Sequence, residues 1–172
     1  MSNPIILAAV DLDARASAVI AHAARLAALC QGHLVIAHVV DDQVGDEDDH
    51  GCPPPPGAVL ADMVRHARAS LLGMVYHQDL PTDWAEIRVQ TGPVRDGLVD
   101  LAAARHPRYV LIGSARWGLL SPTAGLADAL KARNAGQLLV VPGTDGAESQ
   151  SLMARVRRWL GQDLAVQPGP GR

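Results

Sequence analysis

The chain has 172 residues, of which 48% are hydrophobic and 3% aromatic, and its formal net charge at pH 7 is -3. This length suits one domain with extra residues at its ends, and the apolar fraction is large enough for a single core of aliphatic side chains. The negative charge argues against non-specific nucleic-acid binding, and two cysteines suggest no disulfide framework. The amino terminus lacks a basic segment and its apolar run stops at Asp11, so we expect neither a signal peptide nor a membrane span and predict a cytoplasmic protein.

The first part of the chain alternates apolar runs with a segment of helical periodicity. Residues 4–10 and 33–40 are typical of strands buried on both faces. Between them, residues 14–30 are predicted to form a helix with Asp13 as its N-cap. One face of this helix is predicted to be buried (Ile20, Ala23, Ala27 and Cys30) and another solvated (Arg15, His22 and Arg25).

The segment 41–56 holds six of the eighteen acidic residues and four consecutive prolines, which predicts a loop. His50 and Cys52 are metal-ligand types, but their spacing matches no metal motif, and we predict no metal site. Cys52 is expected to be the more reactive thiol and Cys30 to be inert core.

The remaining elements continue the alternation of helices and strands. Residues 85–90 alternate apolar and polar side chains, which is typical of a strand at a sheet edge. The other predicted elements are a helix over 58–76, a helix opened by Gly92 and Pro93, a strand over 109–113, a short helix over 125–134 and a strand over 137–141. The helix over 58–76 is predicted to bury one stripe (Leu60, Met63, Val64, Ala67, Leu71, Met74 and Val75).

This order predicts an α/β fold with right-handed crossovers, that is, a parallel sheet with helices on both faces. Ligands bind such sheets beyond the carboxyl ends of the strands, where the winding direction reverses. The relevant strand ends are Val10–Asp11 and Gly113–Ser114. We therefore predict that any ligand site lies at the loop following Gly113.

Three segments together resemble the universal stress protein family. They are IILAAVDLDARASAVIAHAARLAALCQGHLVIAHVV, IRVQTGPVRDGLVDLAAARHPRYVLIGS and AGQLLVVPG, and the resemblance covers roughly residues 3–142. It implies an adenine-nucleotide α-hydrolase-like domain over residues 1–142 with a five-stranded sheet of order 3-2-1-4-5. It also implies a homodimer joined along the last strand, formed by Gln137, Leu138, Leu139, Val140 and Val141.

Nucleotide-binding members of that family carry G-x2-G-x9-G-[ST] after the fourth strand, where glycine amides and the hydroxyl surround phosphates. In this chain Gly113 matches the first position, but Arg116 occupies the second, and Leu126 and Ala127 occupy the last two. Allowing one deletion brings Gly125 into register, with Leu126 still replacing the hydroxyl. The phosphate cradle is therefore predicted to be broken.

The adenine and ribose side of the family pattern is matched better. Asp11 is expected either to accept hydrogen bonds from a ribose or to cap the following helix, and Arg116 is a candidate phosphate contact. The candidate nucleotide crevice consists of Ala9, Asp11, Val39, Ile112, Gly113, Ser114, Arg116 and Gly125.

Two functions follow from these observations. The first is a non-catalytic cytoplasmic stress-response protein that acts as a dimer through protein interactions and needs no cofactor. The alternative is a sensor that binds ATP or AMP in the crevice between the first and fourth strands. Weak nucleotide hydrolysis has the least support, because the sequence places no general base or metal ligand near Gly113 and contains no G-x-S-x-G motif.

Residues 143–172 are predicted to form a linker, an amphipathic helix and a disordered tail. Leu152, Val156, Trp159 and Leu160 are apolar, whereas Arg155, Arg157 and Arg158 are basic. The helix either offers Val156, Trp159 and Leu160 to a protein partner or packs on its own domain or across the dimer. Three arginines are too few for stable membrane attachment.

Overall fold

The computed structural model describes residues 3–13, 15–42, 57–78, 80, 84–113 and 125–141, and strands and helices alternate along them. The strands are β1 (Ile5–Ala9), β2 (His33–Val40), β3 (Ala85–Thr91), β4 (Tyr109–Gly113) and β5 (Gln137–Val141). The helices are α1 (Ala16–Cys30), α2 (Gly57–His77), α3 (Val94–Arg105) and α4 (Leu126–Ala132).

The five strands form one parallel sheet in the order β3-β2-β1-β4-β5, which confirms the predicted fold class and topology. β1 is the central strand, and its Leu7 lies between Val35 of β2 and Val110 of β4. The predicted edge position of β3 is also confirmed. Consequently, the winding direction reverses between β1 and β4, where topology places a crevice.

The core consists of two apolar layers because alternate residues of each buried strand face opposite sides of the sheet. On one side, Ile6 of β1 packs with Ile20 of α1 and Leu71 of α2. On the other side, Leu7 packs with side chains from α3 and α4, among them Leu98 and Leu126. Fully burying each of these side chains contributes roughly 1.5–3 kcal/mol, so both helical layers hold the strand ends in place.

Three local predictions from the sequence were wrong. His22 is buried, with 6% of its surface exposed, because its Nδ1 lies 2.8 Å from the carbonyl oxygen of Ala18 one turn earlier. Met63 is 38% exposed, because α2 turns only the side marked by Ala67, Leu71 and Val75 fully onto the sheet. α1 begins at Ala16 with Arg15 as its N-cap, so Asp13 lies two residues before the cap.

Several predictions fall on other parts of the chain. Of the segment 41–56, predicted to be a loop, only the first two residues are described. The predicted linker, amphipathic helix and disordered tail over residues 143–172 lie outside the described residues. Within the described part, no helix combines the length and the hydropathy needed to cross a membrane.

Candidate functional site

A crevice opens where the carboxyl ends of β1 and β4 separate. It is a narrow cleft of about 40 Å³. The β1–α1 connection contributes Val10, Asp13 and Arg15, and the helices contribute Ala16, Val19, Val94 and Leu98. Five of the predicted crevice residues also line it: Ala9, Asp11, Val39, Ile112 and Gly113.

The other three predicted crevice residues are placed differently. Gly125 is the N-cap of α4, has a left-handed φ of 71°, and is not among the residues that line the cleft. Ser114 and Arg116 lie outside the described residues. The structure therefore brings together the five predicted residues at the strand ends. Nucleotide binding by any of the eight predicted residues stays a prediction.

Close packing of the helices on the strand ends keeps the cleft narrow. A Cβ atom added at Gly113 would lie 3.4 Å from Cγ2 of Val19, so α1 approaches β4 closely. A Cβ added at Gly97 of α3 would lie 3.1 Å from Cγ1 of Val39, which is tighter than ordinary van der Waals contact. Both helices lie against the strand ends through positions that lack a side chain.

Asp13 and Arg15 form an ion pair at the rim of the crevice. Asp13 Oδ1 accepts the backbone N–H of Arg15 at 2.9 Å, and its Oδ2 accepts the Nε–H of the same residue at 2.7 Å. Partial burial alone would raise the pKa of Asp13, but the hydrogen bonds and charge of Arg15 outweigh burial and lower it. The same pairing, strengthened by the charge of Asp11, raises the pKa of Arg15.

The two carboxylates at the rim of the crevice, Asp11 and Asp13, have different surroundings. Asp13, not Asp11, binds the backbone amide of Arg15, the N-cap of α1, while Asp11 is exposed beside the cleft. Asp11, Asp13 and Arg15 together carry a net charge of -1, which disfavours entry of a polyphosphate. This pair was not predicted from the sequence, although an acid two residues before an arginine at a helix start was the available signal.

A second, wider groove lies on the other side of the end of β2, between it and α2. It has a volume of about 510 Å³ and is lined by Leu12, His38, Val39, Val40, Asp41, Asp62, Met63, His66 and Ala67. We call it the α2 groove. His38 fixes its floor, since the Nδ1 of His38 lies 2.8 Å from the carbonyl oxygen of Val10 and links the ends of β2 and β1.

Other reactive groups lie away from the crevice. Burial raises the pKa of the Cys30 thiol, against a smaller opposing effect of the Arg108 charge, and Cys30 packs beside the α1 and α2 core. A raised pKa favours the neutral thiol, and the low reactivity of Cys30 stays a prediction. Among the described residues, no group of three or more His, Cys, Asp or Glu side chains is arranged to hold a metal ion.

The fold and the crevice define an α/β protein of the kind that binds ligands at a topological switch point. A sequence profile of the universal stress protein family matches residues 3–139. The chain belongs to the universal stress protein family, which confirms the resemblance seen in its sequence. Comparison with curated proteins finds no match.

Solved structures with the same fold include other universal stress proteins. UspA from Lactobacillus plantarum has a TM-score of 0.59 and 17% identity over 81% of this chain and 98% of its own. A family member from Burkholderia pseudomallei has a TM-score of 0.56 and 22% identity over 82% and 97%. A universal stress protein solved in complex with cAMP has a TM-score of 0.53 and 18% identity over 84% and 100%. At these identities the similarity concerns the fold.

Proposed function

We propose that this universal stress protein is a non-catalytic, cytoplasmic regulatory protein that acts as a homodimer through protein interactions. The observation that carries the proposal is the open edge of β5. Within the described residues β5 pairs with β4 alone, and Leu138, Leu139 and Val140 are each half-buried. An apolar strand with an open edge is a template for pairing with another chain.

The backbone geometry identifies the groups that would join two copies. The N–H of Gln137 donates to the carbonyl oxygen of Arg108 at 3.1 Å. Amide directions alternate along a strand, so the amides of Leu139 and Val141 also face β4. The amides of Leu138 and Val140 consequently point to the open edge. A two-fold axis near Leu139 would pair them with the β5 carbonyls of a second copy in antiparallel fashion.

Val140→Pro tests this interface because it removes one outward amide and leaves the inward ones intact. The matched control is Val89→Pro on β3. Gly92 donates its N–H to Val40 at 3.0 Å, so the Val89 amide, three residues earlier, points outward as well. We expect the wild type and Val89→Pro to sediment as dimers and Val140→Pro as a monomer. A wild-type monomer at all concentrations would contradict the proposal.

We also propose that the crevice does not catalyse nucleotide hydrolysis. Its support is the substitution of the family's second motif glycine by Arg116, the cleft of only about 40 Å³, and the negative rim. Phosphate release from ATP should be the same in the wild type, Asp11→Ala and Asp42→Ala. Asp42 is the control because it follows β2 without lining the crevice. Release that only Asp11→Ala abolishes would show catalysis at this site.

The second candidate function is an ATP or AMP sensor, and the assembly of Ala9, Asp11 and Val39 at one crevice favours it. A relative of the same fold was solved with cAMP, which supports testing this class of ligand. Melting temperature should then rise with ATP or AMP through mass action, and the rise should be lost in Asp11→Ala but kept in Asp42→Ala. No shift at millimolar nucleotide would exclude the sensor and leave the dimer proposal standing.

A further inference from the structure

We propose that residues 152–160 of this chain dock into the α2 groove. The groove volume of about 510 Å³ falls in the range of ligand-sized clefts, roughly 300–1,000 Å³. Leu12 and Met63 on its walls are 37% and 38% exposed. Val59, one turn before Met63 on the same flank of α2, is 46% exposed. Each of these side chains leaves apolar surface that a partner could bury.

The charge around the groove selects a basic partner. Asp41 and Asp62 line the groove, and Asp42 follows directly in the chain. Arg65 pairs with Asp62 at a solvent-exposed position, where such a pair contributes little to stability. An occupant with an apolar face flanked by several cations would complement both the walls and this acidic margin.

Residues 152–160 have this chemistry. Their sequence is LMARVRRWL, in which Leu152, Val156, Trp159 and Leu160 follow the spacing of one helical face. Arg155, Arg157 and Arg158 supply three positive charges and the segment contains no acidic residue. A helix of these nine residues would be about 13.5 Å long. Trp159 is large enough to be the central anchor of such a contact.

The topology places the groove within reach of the segment. All five strands are parallel, so β5 ends at Val141, at the same carboxyl ends of the strands as the groove beside the end of β2. β5 and β2 are three strand spacings apart, about 14 Å. Residues 142–151 can span up to about 33 Å when extended, so the connection does not need full extension.

Disulfide trapping in the full chain tests the contact directly. Cys30→Ala and Cys52→Ser remove the native thiols, and Trp159→Cys is combined with either Met63→Cys or the control Leu72→Cys. Leu72 is 47% exposed but lies on the opposite flank of α2. In a glutathione buffer, we expect the intramolecular disulfide to form at least about tenfold faster with Met63→Cys than with Leu72→Cys.

The alternative outcomes of the trapping experiment are distinct. Equal rates for the two pairs would show an unattached segment and overturn the proposal. A disulfide found only between two chains would overturn docking within one chain and assign the groove to a second copy.

A charge-reversal experiment keeps the native cysteines and does not depend on trapping. In full-length protein, Arg155→Glu, Arg157→Glu and Arg158→Glu together should speed amide hydrogen exchange of residues 59–67 by about threefold or more. Reversal of Arg95, Lys131 and Arg133 to Glu is the control, since it changes the net charge equally at exposed sites away from the groove. Adding Asp41→Arg and Asp62→Arg to the first variant should restore protection. Unchanged exchange in the first variant would overturn the proposal.

Discussion

The described sheet has two outer strands, and their chemistry is opposite. On β3, Glu86 hydrogen-bonds both Arg88 of the same strand and Arg105 of α3, and the His33 Nε2 lies 3.7 Å from its Oε2. β5, with the sequence QLLVV, contains no charged residue. Charged side chains oppose edge-to-edge association, whereas an apolar strand favours it. The contrast supports the proposal that β5, rather than β3, pairs with a second copy.

The two outer strands also differ in what holds the residue that precedes them. β5 is preceded by Gly136, whose φ is 97°, and a Cβ added there would lie 2.5 Å from the carbonyl oxygen of Pro107. β3 is preceded by Trp84, whose side chain packs against the α1 and α2 core. β3 is thus anchored by side-chain burial, and β5 by a backbone conformation and a close approach that only glycine permits.

The largest effect on stability is expected from a substitution at Gly136, the residue that precedes β5. Gly136→Ala should lower the free energy of unfolding by about 3 kcal/mol, because it combines a strained φ with a clash against backbone. Gly73→Ala is the control, since Gly73 lies in α2 with no atom within 4 Å of an added Cβ. That variant should gain about 0.5–1 kcal/mol from helix propensity. If urea denaturation showed the same loss of unfolding free energy for both variants, backbone strain at Gly136 would not explain the effect.

The next-largest effect is expected on dimer formation through β5, the apolar outer strand. Leu139→Glu would place a carboxylate from each copy near the proposed two-fold axis. We expect the dimer dissociation constant to rise by about 100-fold, or about 2.7 kcal/mol. Ile87→Glu on β3 is the matched control, because Ile87 is also a half-buried apolar residue of an outer strand. Sedimentation equilibrium measures both, and a similar rise in the two variants would contradict a specific β5 interface.

The sequence alone predicted the fold because hydrophobic periods of two and 3.6 residues separate strands from helices along this chain. The family resemblance implied the strand order 3-2-1-4-5, and that order fixes where the winding direction reverses and the crevice opens. The sequence did not predict the Asp13–Arg15 pair, which depends on loop dihedral angles that no periodic pattern encodes. The exposure of Met63 depends on how α2 is rotated on the sheet. His22 is buried because the carbonyl of Ala18 satisfies its ring, a local contact that hydropathy does not register.

A smaller effect should come from the charged cluster of β3. Partial burial alone would raise the pKa of Glu86, but Arg88 and Arg105 outweigh burial and lower it. Glu86→Gln should therefore destabilise the protein at pH 7 by about 1 kcal/mol. Because the folded pKa is the lower one, this contribution is present above the unfolded value, about 4.3, and is lost as pH falls through the folded pKa. Urea denaturation at pH 7 and pH 3 should show a smaller stability difference between wild type and variant at pH 3.

The smallest effect should come from making β3 resemble β5. Glu86→Val and Arg88→Val together would remove the charges from that edge and give the molecule two apolar edges. If the β5 edges pair about a two-fold axis, each dimer would then expose two β3 edges, and association would continue beyond the dimer. We expect weak association, with a dissociation constant of about 0.1–1 mM, seen as a mass that rises with concentration in light scattering. Glu86→Gln with Arg88→Gln removes the same charges but keeps polar side chains, and should remain dimeric. A strictly dimeric valine variant would mean that edge geometry, rather than the charged cluster, keeps β3 apart.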